Sequence, residues 1–287
     1  MAWLDFQSST RSQLASSDQA FSIDFKILSM SEITLDFPQT KRIGPILILD
    51  LIIHPRRAFE QIAASNRSTW RLPMLLLSLG VLVQVITAGY LRNRAAALGE
   101  LVLPPDFEWW SPVMQNNYLQ SIQTTQGVAY VFVIPAVMGL LGPWIGWPIL
   151  SSLLHLASTL LGGRGSQAST LSMVAWAQLP YLLRNLLRSV YMLAANHLIT
   201  SPGLSGFVIG ANKPAFFLSN LLKQTDVFLI WQILLLGIGL SQLNGLSRSR
   251  TWLAVVLVHL IALLALAGFS TLFASLSGSV ISRPFYF

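Results

Sequence analysis

The residues best placed to do chemistry are two arginines, Arg184 and Arg188, set in an otherwise apolar run. Four residues apart, they share one face of a helix. A charge at the centre of a bilayer costs at least about 2.5 kcal/mol on insertion scales, so it needs a partner, a cavity or a route to the interface. Two readings of this face stay open. In the first, the arginines hold an anion, a lipid headgroup or a substrate. In the second they are structural: Arg188 pairs with Asp226, and Arg184 bonds backbone carbonyls freed by Pro180. Asp226 is the natural partner because no other acidic residue follows Glu108.

Other reactive types are sparse. The chain has no cysteine, which removes thiolate nucleophiles and Cys-ligated metal sites. His155 and His259 each stand alone in an apolar run, so hydrogen-bonded core histidines are the expectation. The turn Gly162, Gly163, Arg164, Gly165 superficially suggests a phosphate loop, but the Lys-Ser/Thr that such a loop requires is missing. Glycines there suit a tight hairpin turn instead. No nucleophile–base pairing, carboxylate pair or nucleotide fingerprint appears. An enzyme is not expected, nor any cofactor.

These residues must be positioned by elements that live in lipid. Hydrophobic residues make up 53% of the 287 and charged ones only 10%, and mean hydropathy is +0.61. Soluble domains carry about 25% charged residues, so most of this surface faces something other than water. The net charge of +7 therefore points to orientation and anionic headgroups, not to nucleic acid.

Uncharged stretches of about 20 residues mark membrane spans. The first is 72–91, with Pro73 in its first turn and Trp70 and Tyr90 at its ends. The second lies within 127–161, which is too short for two spans and a turn. It reads as one long helix, tilted or kinked at Pro135, Pro143 or Pro148, with a span plus a re-entrant piece as the alternative. The third is about 170–193, the fourth 227–243 with Asp226 as its N-cap, and the fifth 251–276. Gly142 and Gly146 either permit close helix contact or mark a kink.

Before the first span, Pro55, Arg56, Arg57 and Phe59 begin a short amphipathic helix. Phe59, Ile62 and Ala63 form its apolar face, and the helix is expected on the membrane surface. The stretch 43–53 is too short to span and should lie at the interface or pack on the bundle. Residues 92–126 read as an external loop with an interfacial helix near Trp109 and Trp110, and 197–225 as a second loop. Residues 1–42 form an irregular tail, 43–276 one membrane domain and 277–287 a second tail. Met30 could serve as a start.

Basic residues set the orientation. Arg11, Lys26, Lys41, Arg42, Arg56, Arg57, Arg67 and Arg71 precede the first span, and Arg164, Arg248 and Arg250 occupy the turns after the second and fourth. The opposite side holds Arg92, Arg94, Lys213, Lys223 and Arg283. The positive-inside rule places the N-terminus in the cytoplasm and, with five spans, the C-terminus outside.

Three pieces in this order resemble bacterial members of the Yip1 domain family. One is LIIHPRRAFEQIA, followed by Trp70 and Pro73. Another is the hairpin LLHLASTLLGGRGSQASTLSMVAWAQLP. The last is VFLIWQILLLGIGL before a Ser/Arg turn. The likeness covers about Ile48 to Gly268. It implies five spans, a cytoplasmic N-terminus and an external C-terminus. Eukaryotic relatives look like membrane organisers that contact small GTPases. The expectation is thus an all-α protein of the bacterial inner membrane, with five transmembrane helices and an N-terminal amphipathic surface helix. Its expected task is that of a non-enzymatic scaffold or accessory subunit binding membrane lipids or other membrane proteins. The alternative is a small transporter or channel using the Arg184/Arg188 face.

Overall fold

The computed structural model describes residues 46–65, 69–98, 107–199, 201–208 and 213–276. All belong to one compact unit, Ile43–Phe287. The tails expected at 1–42 and 277–287, and Met30, lie outside the described residues.

Ordered structure among the described residues is helical. In chain order the α-helices are α1 (Ile46–Ile53), α2 (Pro55–Ala64), α3 (Arg71–Ala97), α4 (Pro112–Thr125), α5 (Ile134–Leu160), α6 (Gln167–Ala177), α7 (Leu179–Ala195), α8 (Lys213–Gln224), α9 (Val227–Asn244) and α10 (Arg248–Leu276). A π-helical turn, Ala129–Val133, leads into α5. Pro135 lacks the N–H that would continue a regular ladder there.

Four runs are long and apolar enough to cross a membrane: Arg71–Ala97, Ala129–Leu160, Val227–Asn244 and Arg248–Leu276. The second is one helical run that passes through Pro143 and Pro148. The continuous third span expected at 170–193 is not formed. It is divided into α6 and α7, which meet at Gln178. Pro180 explains the break: it supplies no N–H, and its ring crowds the preceding turn.

Two smaller expectations also change. The stretch 197–225 is not all loop, since KPAFFLSNLLKQ forms α8, and Leu204 N–H donates to Leu222 O at 3.0 Å. The helix near the tryptophan pair follows it as α4, where Phe107, Trp110 and Tyr118 form a ring cluster with centroids 5.4–5.7 Å apart.

Specific contacts fix the helix directions. Arg94 Nη1 donates to Asn196 Oδ1 at 2.6 Å, and Gly80 lies against Leu182 and Asn185, so α3 and α7 run parallel. Trp144 Nε1 donates to Ser78 Oγ at 3.0 Å and Trp147 Nε1 to Leu171 O at 2.8 Å, which sets α5 antiparallel to α3 and α6. Between helices in lipid there is little hydrophobic driving force. Close packing and such hydrogen bonds, worth about 0.6 kcal/mol each on average, take its place.

The segment before α3 is built into this packing. In α2, Ala58, Phe59 and Ile62 are buried, while Arg56, Arg57, Glu60 and Ala63 are exposed. The buried face therefore uses Ala58 where Ala63 was expected. Phe59 enters the core beside Met173 of α6 and Gly239 of α9. A Cβ at Gly239 would stand 2.7 Å from Met173 Cγ and 3.1 Å from Phe59 Cε1, so only glycine permits that approach. Leu47 and Leu51 of α1 join the same core, around the fully buried Trp176. Thus 43–53 packs on the bundle, one of its two expected placements.

Candidate functional site

Asp226 is the centre of the polar site. Its backbone is extended, with φ −147° and ψ 177°, and Oδ1 accepts from the N–H groups of Phe228 and Leu229 at 3.1 and 3.0 Å. That is an N-cap, and it satisfies two of the donors that a helix start leaves without partners. Oδ2 turns the other way. It accepts from Arg184 Nη1 and Arg188 Nη2, each at 3.4 Å.

The pairing of Arg188 follows from two antiparallel helices whose ends lie level. For Arg184 the outcome differs: it reaches Asp226 rather than carbonyls near Pro180. One helical turn is only about 5.4 Å, well within the length of an arginine side chain. Both distances exceed the ~2.7–2.9 Å of a tight charge-assisted bond. A single oxygen is divided between two guanidiniums, and neither forms a two-pronged pair.

Tyr181, three residues before Arg184, completes the stripe on α7. Its hydroxyl donates to Gln232 Oε1 at 2.6 Å, and the Arg184 guanidinium lies over its ring at 4.3 Å. Gln232 is buried at 2% exposure, so this bond satisfies an amide oxygen with no water at hand. Asn185 and Ser189 are buried on the same helix, and Ser189 Oγ donates to Asn185 O at 2.9 Å. Tyr181 and Gln232 were not marked by sequence reasoning. The available signals were the three-residue spacing to Arg184 and one polar residue inside VFLIWQILLLGIGL.

The electrostatics are unbalanced. Two guanidiniums face one carboxylate, and the arginine and aspartate side chains are only 22%, 21% and 12% exposed. Arg184 Nε is buried with no hydrogen-bond partner among the described residues. Gly80, in the middle part of the apolar stretch of α3, contacts Leu182 and Asn185. The cluster therefore sits deep relative to α3, although it caps the start of α9. Such a site can lock α7 to α9, and it retains capacity for an anion.

A cavity of about 170 Å³ lies beside it, lined by α1 (Ile48, Leu51), α7 (Leu179, Leu183) and α9 (Trp231, Leu235). Its lining is apolar, so it offers water no partners.

The other residues singled out from the sequence do not join this cluster. The turn Gly162, Gly163, Arg164, Gly165 is at the far end of α9, where Arg164 N–H donates to Asn244 O at 3.3 Å. Gly162 has φ +93°, a conformation that glycine adopts freely. Pro55 opens α2 as expected, with Phe59 inward and Arg56 and Arg57 outward. His259 Nδ1 bonds Val255 O at 2.9 Å, a core histidine as anticipated. His155 departs from that expectation, because its buried Nδ1 has no partner among the described residues. A Cβ at Gly142 or Gly146 would meet nothing within 4 Å, so no helix among the described residues packs there.

The family model of the Yip1 domain matches residues 49–270. No curated protein matches the chain, and no solved structure does.

Proposed function

The chain belongs to the Yip1 domain family, and from that premise we propose that this integral membrane protein is a non-enzymatic scaffold or accessory subunit. Its surface binds other membrane proteins and lipids. The observation that carries this reading is the exposure of α5. In the most apolar stretch of Ala129–Leu160 only 6% of residues are buried, against 33%, 44% and 28% in α3, α9 and α10. Gly142 and Gly146 on that helix face open space, the kind of small-residue pair at which a second transmembrane helix packs closely.

In this reading α6 and α7 together make a fifth crossing. They follow α9 from end to end: Arg164 at Asn244, Met173 at Gly239, Tyr181 at Gln232 and Arg188 at Asp226. Residues 43–276 are then the membrane domain, flanked by tails 1–42 and 277–287. The amphipathic helix α2 lies at the cytoplasmic face of the inner membrane, and the C-terminus lies outside. A reporter fused after Phe287 should then be active only outside the cytoplasm, and one in the Arg248–Arg250 turn only inside it.

The decisive experiment places a photo-crosslinking residue at Ile145 of α5 in living cells, with Leu257 of α10 as the control face. A single stoichiometric protein product from Ile145, absent from Leu257, supports the scaffold. The surplus guanidinium at Asp226 favours a second reading, a small anion transporter or channel that uses Arg184 and Arg188. If Ile145 gives no product and the purified protein alone carries an anion into liposomes, the scaffold is rejected.

A further inference from the structure

At the end of the bundle remote from Asp226, two chain reversals meet. The α5–α6 turn rests on the last residue of α9 through the Arg164–Asn244 bond. From the first turn of α10, Arg250 Nη1 donates to Leu161 O at 3.3 Å. Arg164, Arg248 and Arg250 are all exposed here. The ion pairs found among the described residues both lie at Asp226, so these three cations have no carboxylate among the described residues. The first turns of α6 and α10 also contain no acidic residue. A helix start carries partial positive charge, so Arg248 and Arg250 stand where the backbone itself disfavours cations. Ser166 takes the N–H of Ser169, while first-turn donors before it have no acceptor within the helix.

Asn244 supplies an independent sign of a missing ligand. It is 4% exposed, yet neither Nδ2 nor Oδ1 has a hydrogen-bond partner among the described residues. Its side chain is aimed into the turn. A Cβ on Gly165 would collide with Asn244 Oδ1, and one on Gly163 would stand 3.3 Å from Asn244 Cβ. A buried amide without partners is costly, and a ligand oxygen that accepted from Nδ2 would relieve the donor's part of that cost.

We propose that this end is a seat for a phosphate group. Arg164 and Arg250 would hold its oxygens, Asn244 Nδ2 would donate to it, and the starts of α6 and α10 would add their partial charge. Arg248 sets the surrounding positive field. The chemistry is that of an anionic phosphate group, supplied by an anionic lipid headgroup or by a free phosphate. The seat is separate from the α5 face, so it stands or falls apart from the scaffold reading.

The test uses the full chain in neutral detergent. Thermal unfolding is followed while phosphatidylglycerol, phosphatidylcholine or inorganic phosphate is titrated. Phosphatidylglycerol should raise the melting temperature well beyond phosphatidylcholine. The double variant Arg164→Gln/Arg250→Gln should weaken its apparent affinity by about tenfold or more, equal to about 1.4 kcal/mol. Arg92→Gln, a basic residue elsewhere, should leave it unchanged. Equal stabilisation by inorganic phosphate identifies a free phosphate as the ligand; stabilisation by the lipid alone identifies the headgroup.

Asn244→Ala keeps every charge and separates the seat from a mere topology signal. With a ligand seat, it lowers the affinity for phosphatidylglycerol. Without one, it removes an unsatisfied amide, leaves the lipid response intact and makes the lipid-free protein no less stable. That second result overturns the proposal. So does a lipid response that survives in the double arginine variant or is matched by phosphatidylcholine.

Discussion

The two ends of α9 solve opposite problems with the same residue type. At its start, Arg184 and Arg188 are largely buried and share Asp226. At its finish, Arg164, Arg248 and Arg250 are exposed and have no carboxylate among the described residues. Where arginine is withdrawn from water, the chain carries its own anion, because an uncompensated buried charge is expensive. Where arginine stays in water, the anion can be left to the surroundings. The same charge therefore holds the fold together at one end and remains available for binding at the other.

The sharpest way to break this contrast is at Asp226. Asp226→Ala strands two buried guanidiniums and uncaps α9, and should destabilise by about 3 kcal/mol, between the ~1 of an exposed pair and the ~3–5 of a buried one. Asp226→Asn keeps a capping oxygen and should recover about 1 kcal/mol of that loss. Unfolding in a detergent series measures both, and equal losses would mean that the cap contributes nothing.

Tyr181→Phe comes next. It leaves Gln232 Oε1 unsatisfied in a buried place, at a cost of about 1–2 kcal/mol. The same unfolding assay should also show that Tyr181→Phe/Gln232→Leu is less damaged than Tyr181→Phe alone.

Arg184→Gln and Arg188→Gln should each cost only about 1 kcal/mol or less, since the remaining arginine still serves Asp226. Removing both should cost more than the sum, and adding Asp226→Asn to that pair should restore stability. Strict additivity in this cycle would show that the three residues do not act together.

The smallest effect belongs to the far end. Arg248→Gln, measured without lipid, should stay within about 0.5 kcal/mol of the parent, as exposed substitutions do. A large loss there would mean that the exposed arginines also serve the fold, and the contrast would collapse.

How much of this could be read in the sequence depends on how local each cause is. Helices α3, α5, α9 and α10 were legible because an uncharged run of span length has few alternatives. The Asp226 cap was legible because capping is decided within three residues. The Arg188–Asp226 pair needed only the knowledge that spans joined by a loop end level. The break at Gln178 was harder, because hydropathy takes no account of Pro180's missing N–H. Helix α8 was hidden by the Gly, Ser and Pro that precede it. Arg184 was misassigned and Tyr181–Gln232 was missed for one reason: their partners lie on another helix, at a register that composition does not encode.

Phe59 sets a schedule for biogenesis. It leaves the ribosome before any span, yet its seat between Met173 and Gly239 is not complete until α9 has been made. At ordinary synthesis rates the roughly 180 intervening residues take about 10–40 s. Throughout that interval α2 has an apolar face and no place to bury it. The lipid surface is the nearest shelter, so the helix should dock there first and move inward as the last spans arrive. Closing this side of the bundle thus waits until α9 has been made, and a chain stalled before Gly239 would remain open on that side.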